Sequence, residues 1–215
     1  MHEKLFEEMA QSIIDGENEI AESLAKKSIE IGIDPLDAIN KGFVLGVNHV
    51  GEEFSCGNAF LPELVMAGEA MKVAISILEP ELNRLGTKRE VLGKMVLATV
   101  EGDIHDIGKT LVGTMMAAAG FEVFDLGVDV SISDIVQKVR EENANLVGVS
   151  ALLTTTMVKQ RDVIEAIDDI GLKDKVYVMV GGAPVTRAWM EEIGADGYSE
   201  DAIGAIAVAK ELLGK

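Results

Sequence analysis

Apolar residues recur at helical spacing through the first 85 residues of the chain. The apolar positions of the first two predicted helices are Leu5, Met9, Ile13, Ile14, Ile20, Leu24, Ile29 and Ile31. Gly16 and Gly32 stand where these helices should end, and the pattern continues through two further helices at about 35–54 and 61–85. Because the connections are short, we predict a bundle of four antiparallel helices.

The pattern changes after residue 93, where short β-rich runs alternate with helical runs. Strands are predicted at 94–100, 122–126, 146–151, 176–180 and 197–198. Helices are predicted at about 108–119, 132–142, 155–169, 186–193 and 201–213. The alternation is typical of a parallel sheet with helices on both faces. We therefore predict an α/β chain in which the four-helix bundle precedes a Rossmann-like (flavodoxin-like) domain with five parallel strands.

The two patterns divide the chain into two predicted domains, a helical domain at 1–88 and an α/β domain at 89–215. The segment LGTKREVLG at 85–93 joins them and is charged and flanked by glycine. We predict that this segment acts as a hinge between the domains.

One loop at the predicted ligand-binding edge carries an unusual group of residues. Ligands of open parallel sheets bind beyond the carboxyl ends of the strands, where the first strand is followed by EGDIHDIG at 101–108. This loop contains His105, one of three histidines in the chain, between Asp103 and Asp106. It lacks G-x-G-x-x-G and the complete P-loop motif, which argues against a dinucleotide or a P-loop phosphate site. The strand at 146–151 ends without an acid, which argues against a receiver domain.

The composition of the chain argues against several classes of binding partner. The chain has 215 residues and a net charge of −18, which argues against nucleic acid or an anionic membrane, because both need clustered basic side chains. The single cysteine, Cys56, cannot form an internal disulfide. No apolar run approaches the roughly 20 residues that span a bilayer, and the acidic amphipathic N-terminus does not resemble a secretion signal. We expect a cytoplasmic protein.

The Asp103-x-His105 pair suits a metal ligand. A histidine that binds a metal through one ring nitrogen usually donates its other N–H to a carboxylate, which fixes its tautomer and basicity. A hydroxyl that orients the carboxylate would complete a relay, and Ser150, at the end of the third predicted strand, is the candidate. The pair alone leaves open an ordinary loop histidine beside an Asp103 that caps the following helix.

Three short motifs at predicted strand ends resemble a known signature. They are Asp103-x-His105-x-x-Gly108, Ser150-x-Leu152 and Gly181-Gly182. Their separations, 41 and 28 residues, also match, so this region resembles the cobalamin-binding domains of the methionine synthase and methylmalonyl-CoA mutase class. From about residue 3 to residue 213, the chain resembles the corrinoid proteins of methylotrophic methyltransferase systems, in which FLPELVMAGEAM at 60–71 corresponds to the helical cap.

The resemblance implies a relay of three catalytic residues. His105 would coordinate the cobalt of the corrinoid from its lower face, in place of the cofactor's own dimethylbenzimidazole. Asp103 would accept the other His105 N–H, and Ser150 would form a hydrogen bond with Asp103. The relay would take up a proton when the bond between His105 and cobalt breaks.

The resemblance also implies residues that contact the cofactor. Gly108 would let a helix start close to the corrin ring or its tail. Gly181 and Gly182 would leave room for the buried nucleotide tail, because a side chain at either position would fill the slot. Leu152 belongs to the second motif and would lie in the same site.

Three further residues have a possible cofactor contact and an alternative. Thr154 would contact the corrin or the nucleotide, or would cap the next helix. Asp106 would border the cofactor, or would interact only with the helix dipole. Phe60 would cover the upper face of the cobalt, or would pack in the core of the bundle.

The resemblance implies a methyl carrier, a cofactor-carrying subunit and not a complete enzyme. Its cobalamin would alternate between methylcob(III)alamin and cob(I)alamin. A substrate-specific methyltransferase would load the methyl group, an acceptor methyltransferase would pass it to a thiol or folate, and a corrinoid reductive activase would restore the cofactor. The segment GGAPVTRAWMEEIGADGY resembles the carriers for methylated amines more than those for methanol or methoxyaromatic donors.

Three alternative functions remain open at this point. A cobalamin-dependent sensor would need a DNA-binding segment, and the charge of −18 opposes one. A mutase small subunit would usually lack the helical domain. A module that binds a metal without a corrin would contain zinc and no cobalt.

Overall fold

The computed structural model describes residues 2–85 and 91–215. The chain separates into two compact units, residues 1–90 and 91–215, which we call the helical unit and the α/β unit. Residues 86–90, which form most of the predicted hinge, lie outside the described residues. Within the described ranges, no helix combines the length and the apolar character needed to cross a membrane.

The helical unit contains the four predicted helices, the third of them in three consecutive segments. They are α1 (Glu3–Ile14), α2 (Asn18–Glu30), α3 (Pro35–Ala38), a π-helical segment (Ile39–Phe43), α4 (Val44–Ser55) and α5 (Leu61–Arg84). Gly16 and Gly32 follow the first two helices with positive φ, as their positions predict. Asp34 caps α3, because its side chain accepts a hydrogen bond from Leu36 N at 2.8 Å.

The third helix packs closely against α1. A Cβ atom on Gly42, inside the π-helical segment, would lie 2.7 Å from Met9 Sδ, and one on Gly46 would collide with the carbonyl oxygen of Ala10. These glycines therefore let the two backbones approach. The large, fully buried side chains of this unit include Met9, Ile13, Ile39, Phe43, Leu64, Met71, Leu78 and Leu82.

The α/β unit is a parallel sheet with helices on both faces, which confirms the predicted fold class. Its strands are β1 (Lys94–Thr99), β2 (Glu122–Asp125), β3 (Leu146–Ser150), β4 (Tyr177–Gly181) and β5 (Gly197–Tyr198). Its helices are α6 (Ile107–Ala118), α7 (Ile132–Glu142), α8 (Val158–Asp169), α9 (Arg187–Ile193) and α10 (Ala202–Leu212). The strand order is β2-β1-β3-β4-β5, and all neighbouring strands are parallel.

Successive side chains of the central strands belong to two separate apolar cores. On β1, Val96 packs in the core shared with α7, α8 and α9, whereas Leu97 packs in the core shared with α6 and α10. Because helices cover both faces, the last five residues of β1 are all buried.

The register of the sheet brings the predicted motifs side by side. Thr99 at the end of β1 pairs with Ser150 at the end of β3, and Ser150 pairs with Gly181 at the end of β4. The loop after β2 joins this edge through an isolated parallel bridge between Val100 and Val130. The loops that follow four neighbouring strands therefore leave the sheet next to one another.

Candidate functional site

Asp103 and His105 form a close pair in the loop between β1 and α6. The Asp103 side chain is fully buried, whereas the His105 side chain is 47% exposed. His105 Nδ1 lies 2.6 Å from Asp103 Oδ1, and the same oxygen accepts the His105 backbone N–H at 3.1 Å. A carboxylate beside Nδ1 places the ring proton on that nitrogen, so Nε2 keeps its lone pair for a ligand.

The loop between β3 and α8 holds the second oxygen of Asp103. Asp103 Oδ2 accepts hydrogen bonds from Leu152 N at 2.8 Å, Thr156 Oγ1 at 2.8 Å and Leu153 N at 3.3 Å. Thr156 is itself buried. The carboxylate is thus fixed from two loops, and it cannot turn away from His105 without leaving buried donors unpaired.

These contacts keep Asp103 ionised. Burial alone would raise the pKa of this carboxyl group, but hydrogen bonds from the His105 ring, the Thr156 hydroxyl and the amides of Leu152 and His105 outweigh it. The pKa of Asp103 is therefore well below its usual range. The proton of the pair stays on His105 Nδ1, and Asp103 acts as an acceptor.

The predicted hydrogen bond between Ser150 and Asp103 is not formed in this structure. Ser150 remains part of β3, where its carbonyl oxygen accepts a bond from Val100 N at 3.0 Å, and its hydroxyl has no partner among the described residues. The loop after β3 turns back over Asp103, and Thr156 supplies the hydroxyl instead. The hydroxyl that binds Asp103 thus comes from the loop that the motif marks, but from Thr156, and the catalytic role of Ser150 stays a prediction.

Thr99 fixes the backbone of His105. Thr99 is fully buried at the end of β1, and its Oγ1 donates to the carbonyl oxygen of His105 at 2.9 Å. The central strand therefore holds the main chain of His105 while Asp103 holds its ring. Sequence reasoning missed this residue, because a threonine at a strand end is common and carries no signal of its own.

The two glycines of the third motif differ in what surrounds them. A Cβ atom on Gly181 would meet no other atom within 4 Å, which is consistent with space for a ligand. Gly182 has a φ of +123°, and a Cβ atom there would collide with the carbonyl oxygen of Ala151. Backbone packing therefore explains Gly182 without a ligand. Gly108, in the first turn of α6, also faces open space.

The remaining predicted contact residues lie at the surface. Leu152, Thr154 and Asp106 are exposed in loops at the carboxyl edge of the sheet. Asp106 stands at the N-cap of α6, but its side chain makes no capping hydrogen bond. Thr154 does not cap α8, which begins only at Val158. Phe60 belongs to the helical unit, where it is 67% exposed just before α5 and is not part of a core.

Large apolar side chains are exposed around His105. Ile104 and Ile107 are 73% and 76% exposed on either side of it, and Val128, Leu152 and Leu153 are exposed in the neighbouring loops. Sequence reasoning missed Ile104, Ile107, Val128 and Leu153. The available signal was the presence of isoleucines inside an otherwise polar loop. An apolar surface beside a single nitrogen donor fits a large apolar ligand that carries its own metal.

An ion pair between a buried lysine and an exposed aspartate supports the same edge of the sheet. The buried Lys109, in the first turn of α6, contacts Asp125 at the end of β2, and Asp125 Oδ1 also accepts Gly127 N at 2.9 Å. The pair ties the start of α6 to the loop after β2. The P-loop-like ending IGKT thus has a structural role in this fold.

Comparison with known protein families identifies both units. A family model described as a B12 binding domain matches residues 93–207, and a second model with the same description matches residues 5–79. The first covers more than half of the chain and contains all three motifs.

Known relatives match almost the entire chain. A corrinoid protein of Desulfitobacterium hafniense is 46% identical over 212 residues, which cover 98% of both chains. Dimethylamine corrinoid protein 2 of Methanosarcina acetivorans is 47% identical over 211 residues, covering 98% of this chain and 97% of that protein. Among solved structures, the methanol:cobalamin methyltransferase complex MtaBC of Methanosarcina barkeri matches with a TM-score of 0.88 and 29% identity, over 98% of this chain and 80% of that chain.

Proposed function

Because this chain belongs to the family of corrinoid proteins, with a B12 binding domain at residues 93–207, we propose that it carries a methyl group on cobalt between two methyltransferases. Its cofactor is a cobalamin-type corrinoid. The observation that carries the proposal is a half-exposed His105 whose Nδ1 is held by a buried carboxylate, so that Nε2 is available to a metal. The relatives support a carrier over a cobalamin sensor or a mutase subunit, since they are named corrinoid proteins.

The residues at the carboxyl edge fit this cofactor. His105 offers a single nitrogen donor, which suits a metal whose other ligands belong to a macrocycle. Ile104 and Ile107 offer exposed apolar surface beside it, and Gly181 faces open space one strand away. His105 would hold the cobalt, and Gly181 would border the nucleotide tail. When bound, the corrinoid supplies a cobalt atom that accepts a methyl group and gives it up.

Asp103 controls the proton on His105. Because the pKa of Asp103 is well below its usual range, the carboxylate stays ionised and the Nδ1 proton stays on the ring. The contact of 2.6 Å between Asp103 Oδ1 and His105 Nδ1 fixes the tautomer and the direction of the ring. Nε2 is therefore the ring nitrogen that is available to a metal.

The partners follow from this function. One methyltransferase would load the methyl group and a second would remove it to a thiol or folate, with a reductive activase to restore the cofactor. Support for a methyltransferase partner comes from the similarity to a chain of the methanol:cobalamin methyltransferase complex. Support for a methylated amine as the donor comes from a relative named for dimethylamine that is 47% identical.

Reconstitution with cobalamin tests the axial ligand. We expect the wild-type protein to give the spectrum of a base-off corrinoid with histidine bound to cobalt, and His105→Ala to lose the histidine signature. His49→Ala is the matched control, because His49 is an exposed histidine on α4 of the helical unit. An unchanged histidine signature in His105→Ala would contradict the assignment.

Methyl transfer tests the carrier and its donor separately. The reduced, cobalamin-loaded protein is incubated with monomethylamine, dimethylamine, trimethylamine or methanol, each together with a methyltransferase specific for that donor. We expect one of the amines to methylate the corrinoid. The absorbance spectrum of the corrinoid measures this reaction. Methylation from methanol alone would contradict the donor and leave the carrier role intact, whereas no methylation from any of these donors would contradict the proposal.

A further inference from the structure

Asp129 adopts a backbone conformation that most side chains avoid. Its φ is +52°, and among the described residues Asn143 is the only other non-glycine residue with a positive φ. Asn143 ends α7 as a left-handed C-cap, where this conformation is common. Asp129 lies instead in the loop between β2 and α7, two residues before Ser131, the N-cap of α7, where no left-handed C-cap is formed. A strained residue beside a functional site needs a specific explanation.

The His105 loop provides that explanation. Asp129 Oδ1 accepts a hydrogen bond from Gly102 N at 2.7 Å. The backbone N–H of Asp129 donates to the carbonyl oxygen of Asp103 at 2.9 Å. Asp129 therefore binds two consecutive residues of the neighbouring loop, one through its side chain and one through its backbone. The left-handed conformation accommodates both bonds.

The residues around Asp129 are bonded to the sheet. Val130 N donates to the carbonyl oxygen of Thr99 at 3.1 Å, and Thr99 N donates to the carbonyl oxygen of Gly127 at 3.0 Å. Asp129 thus lies between two attachments to the end of β1 and cannot shift without breaking them. A continuous set of hydrogen bonds runs from this fixed point through Asp103 to the ring of His105.

We propose that Asp129 is a positioning residue for His105, because it fixes the place of Asp103 and thereby the direction of the imidazole ring. The inference rests on the proposed role of His105 as the cobalt ligand. A glycine would adopt the left-handed conformation at lower cost but would offer no acceptor to Gly102. Asparagine keeps the tolerance for positive φ and an oxygen acceptor, so Asp129→Asn is the conservative variant.

The first test measures amide hydrogen exchange at Gly102 in the cofactor-free protein. In Asp129→Gly this amide should exchange at least about tenfold faster than in the wild type, because it loses a hydrogen bond to a charged group. In Asp129→Asn its exchange should stay close to the wild-type rate. Unchanged protection of Gly102 in Asp129→Gly would overturn the inference.

The second test measures histidine ligation in the cobalamin-loaded protein. Electron paramagnetic resonance of the cobalt(II) form reports the nitrogen splitting from an axial histidine. Asp129→Gly and Asp129→Ala should reduce this splitting and weaken cobalamin binding about tenfold. Loss of a residue that orients a metal ligand typically weakens metal binding by at least about this factor. Asp129→Asn should keep both the splitting and the cobalamin affinity of the wild type. A wild-type splitting in Asp129→Gly would overturn the inference.

Variants at Asn143 separate positioning from backbone strain. Asn143→Ala suffers the same left-handed cost as Asp129→Ala, but at the far end of α7. It should lower stability and leave the histidine splitting unchanged, and an equal loss of splitting in both variants would overturn the positioning role. If the wild type shows no histidine splitting, the proposed ligand fails and the inference fails with it. A normal wild type with an unaffected Asp129→Gly refutes only the role of Asp129.

Discussion

Buried polar side chains are arranged differently in the helical unit and in the α/β unit. In the helical unit, Ser12 and Ser28 are buried, and each hydroxyl donates to a carbonyl oxygen three residues earlier in its own helix, at 2.7 Å. These bonds are local. Each carbonyl belongs to a helix that exists without the serine, so the side chain adds little to the fold.

In the α/β unit, most buried polar side chains connect different elements or loops. The buried polar residues of this unit are Thr99, Asp103, Lys109, Thr114, Thr156 and Gln160. Gln160 of α8, for example, donates to the carbonyl oxygens of Val149 and Gly181 and accepts a bond from the Trp189 indole. Apart from Thr114, in the middle of α6, they lie at or just below the edge that carries His105. Buried polarity is therefore concentrated where the fold positions its site.

The difference between bonds within one helix and bonds between elements indicates which buried polar side chains the fold depends on. A buried hydroxyl that binds its own helix can be removed without leaving an unpaired partner. A buried group that binds another loop leaves that partner unsatisfied, which is costly in the interior. Variants of the two classes should therefore differ strongly, and the following experiments test this.

The largest effect is expected from Asp103→Ala. It removes the acceptor of the Leu152 and Leu153 amides and leaves the Thr156 hydroxyl only the carbonyl oxygen of Leu153, at 2.9 Å. The free energy of unfolding of the α/β unit should therefore fall by about 3–5 kcal/mol. Urea denaturation followed by Trp189 fluorescence measures this unit alone, since Trp189 is the only tryptophan of the chain. Asp106→Ala, in the same loop, is the control and should change little.

The pH dependence sharpens this prediction. The folded-state pKa of Asp103 lies below its unfolded value of about 3.9. Ionised Asp103 therefore adds stability that is fully present above about pH 5 and is lost as the pH falls towards the folded-state pKa. The difference in stability between the wild type and Asp103→Asn should be present at about pH 5 and should shrink below about pH 4. A difference that grows in acid would contradict the depressed pKa.

A smaller but clear effect is expected at Gly182. In Gly182→Ala the new methyl group collides with the backbone of Ala151 at a φ of +123°, so the α/β unit should lose about 2–3 kcal/mol. Gly181→Ala is the matched control, because its methyl group would meet no atom within 4 Å. It should keep the stability of the wild type and weaken cobalamin binding. Equal destabilisation by both variants, measured by urea denaturation, would refute this distinction.

The next prediction compares variants of Thr156 with a variant of Ser150. Thr156→Val keeps the shape of the side chain and removes the donor to Asp103, so it should cost about 1–2 kcal/mol. Thr156→Ser should recover most of the loss. Ser150→Ala should be nearly neutral in the cofactor-free protein. A larger loss of stability in Ser150→Ala than in Thr156→Val would contradict this assignment and would favour the predicted hydrogen bond between Ser150 and Asp103.

The smallest effect is expected in the helical unit. Ser12→Ala and Ser28→Ala should change its stability by less than about 0.5 kcal/mol, because each carbonyl partner stays in its helix and alanine has the higher helix propensity. Hydrogen exchange at the backbone amides of α1 and α2 measures this. A loss above about 1 kcal/mol would mean that local and long-range buried bonds do not differ as described.

Much of the fold could be predicted because its signals are local. The apolar periods located the helices and strands, and the strand ends placed three short motifs on one edge. The single discontinuity in the third helix, at Ile39–Phe43, was not predicted, since close packing of Gly42 against Met9 depends on a neighbouring helix. Contacts within one element are visible in the sequence, and contacts between elements are not.

The sequence by itself determined the helical and α/β architecture and the pair of Asp103 with His105, because two residues on one short loop can meet without help from the rest of the chain. Only the tertiary structure decided which groups hold that pair. Thr156 reaches Asp103 across 53 residues, and Asp129 reaches Gly102 across 27. Such bonds depend on the path of each loop as it leaves the sheet, and hydrophobic periodicity carries no information about that path.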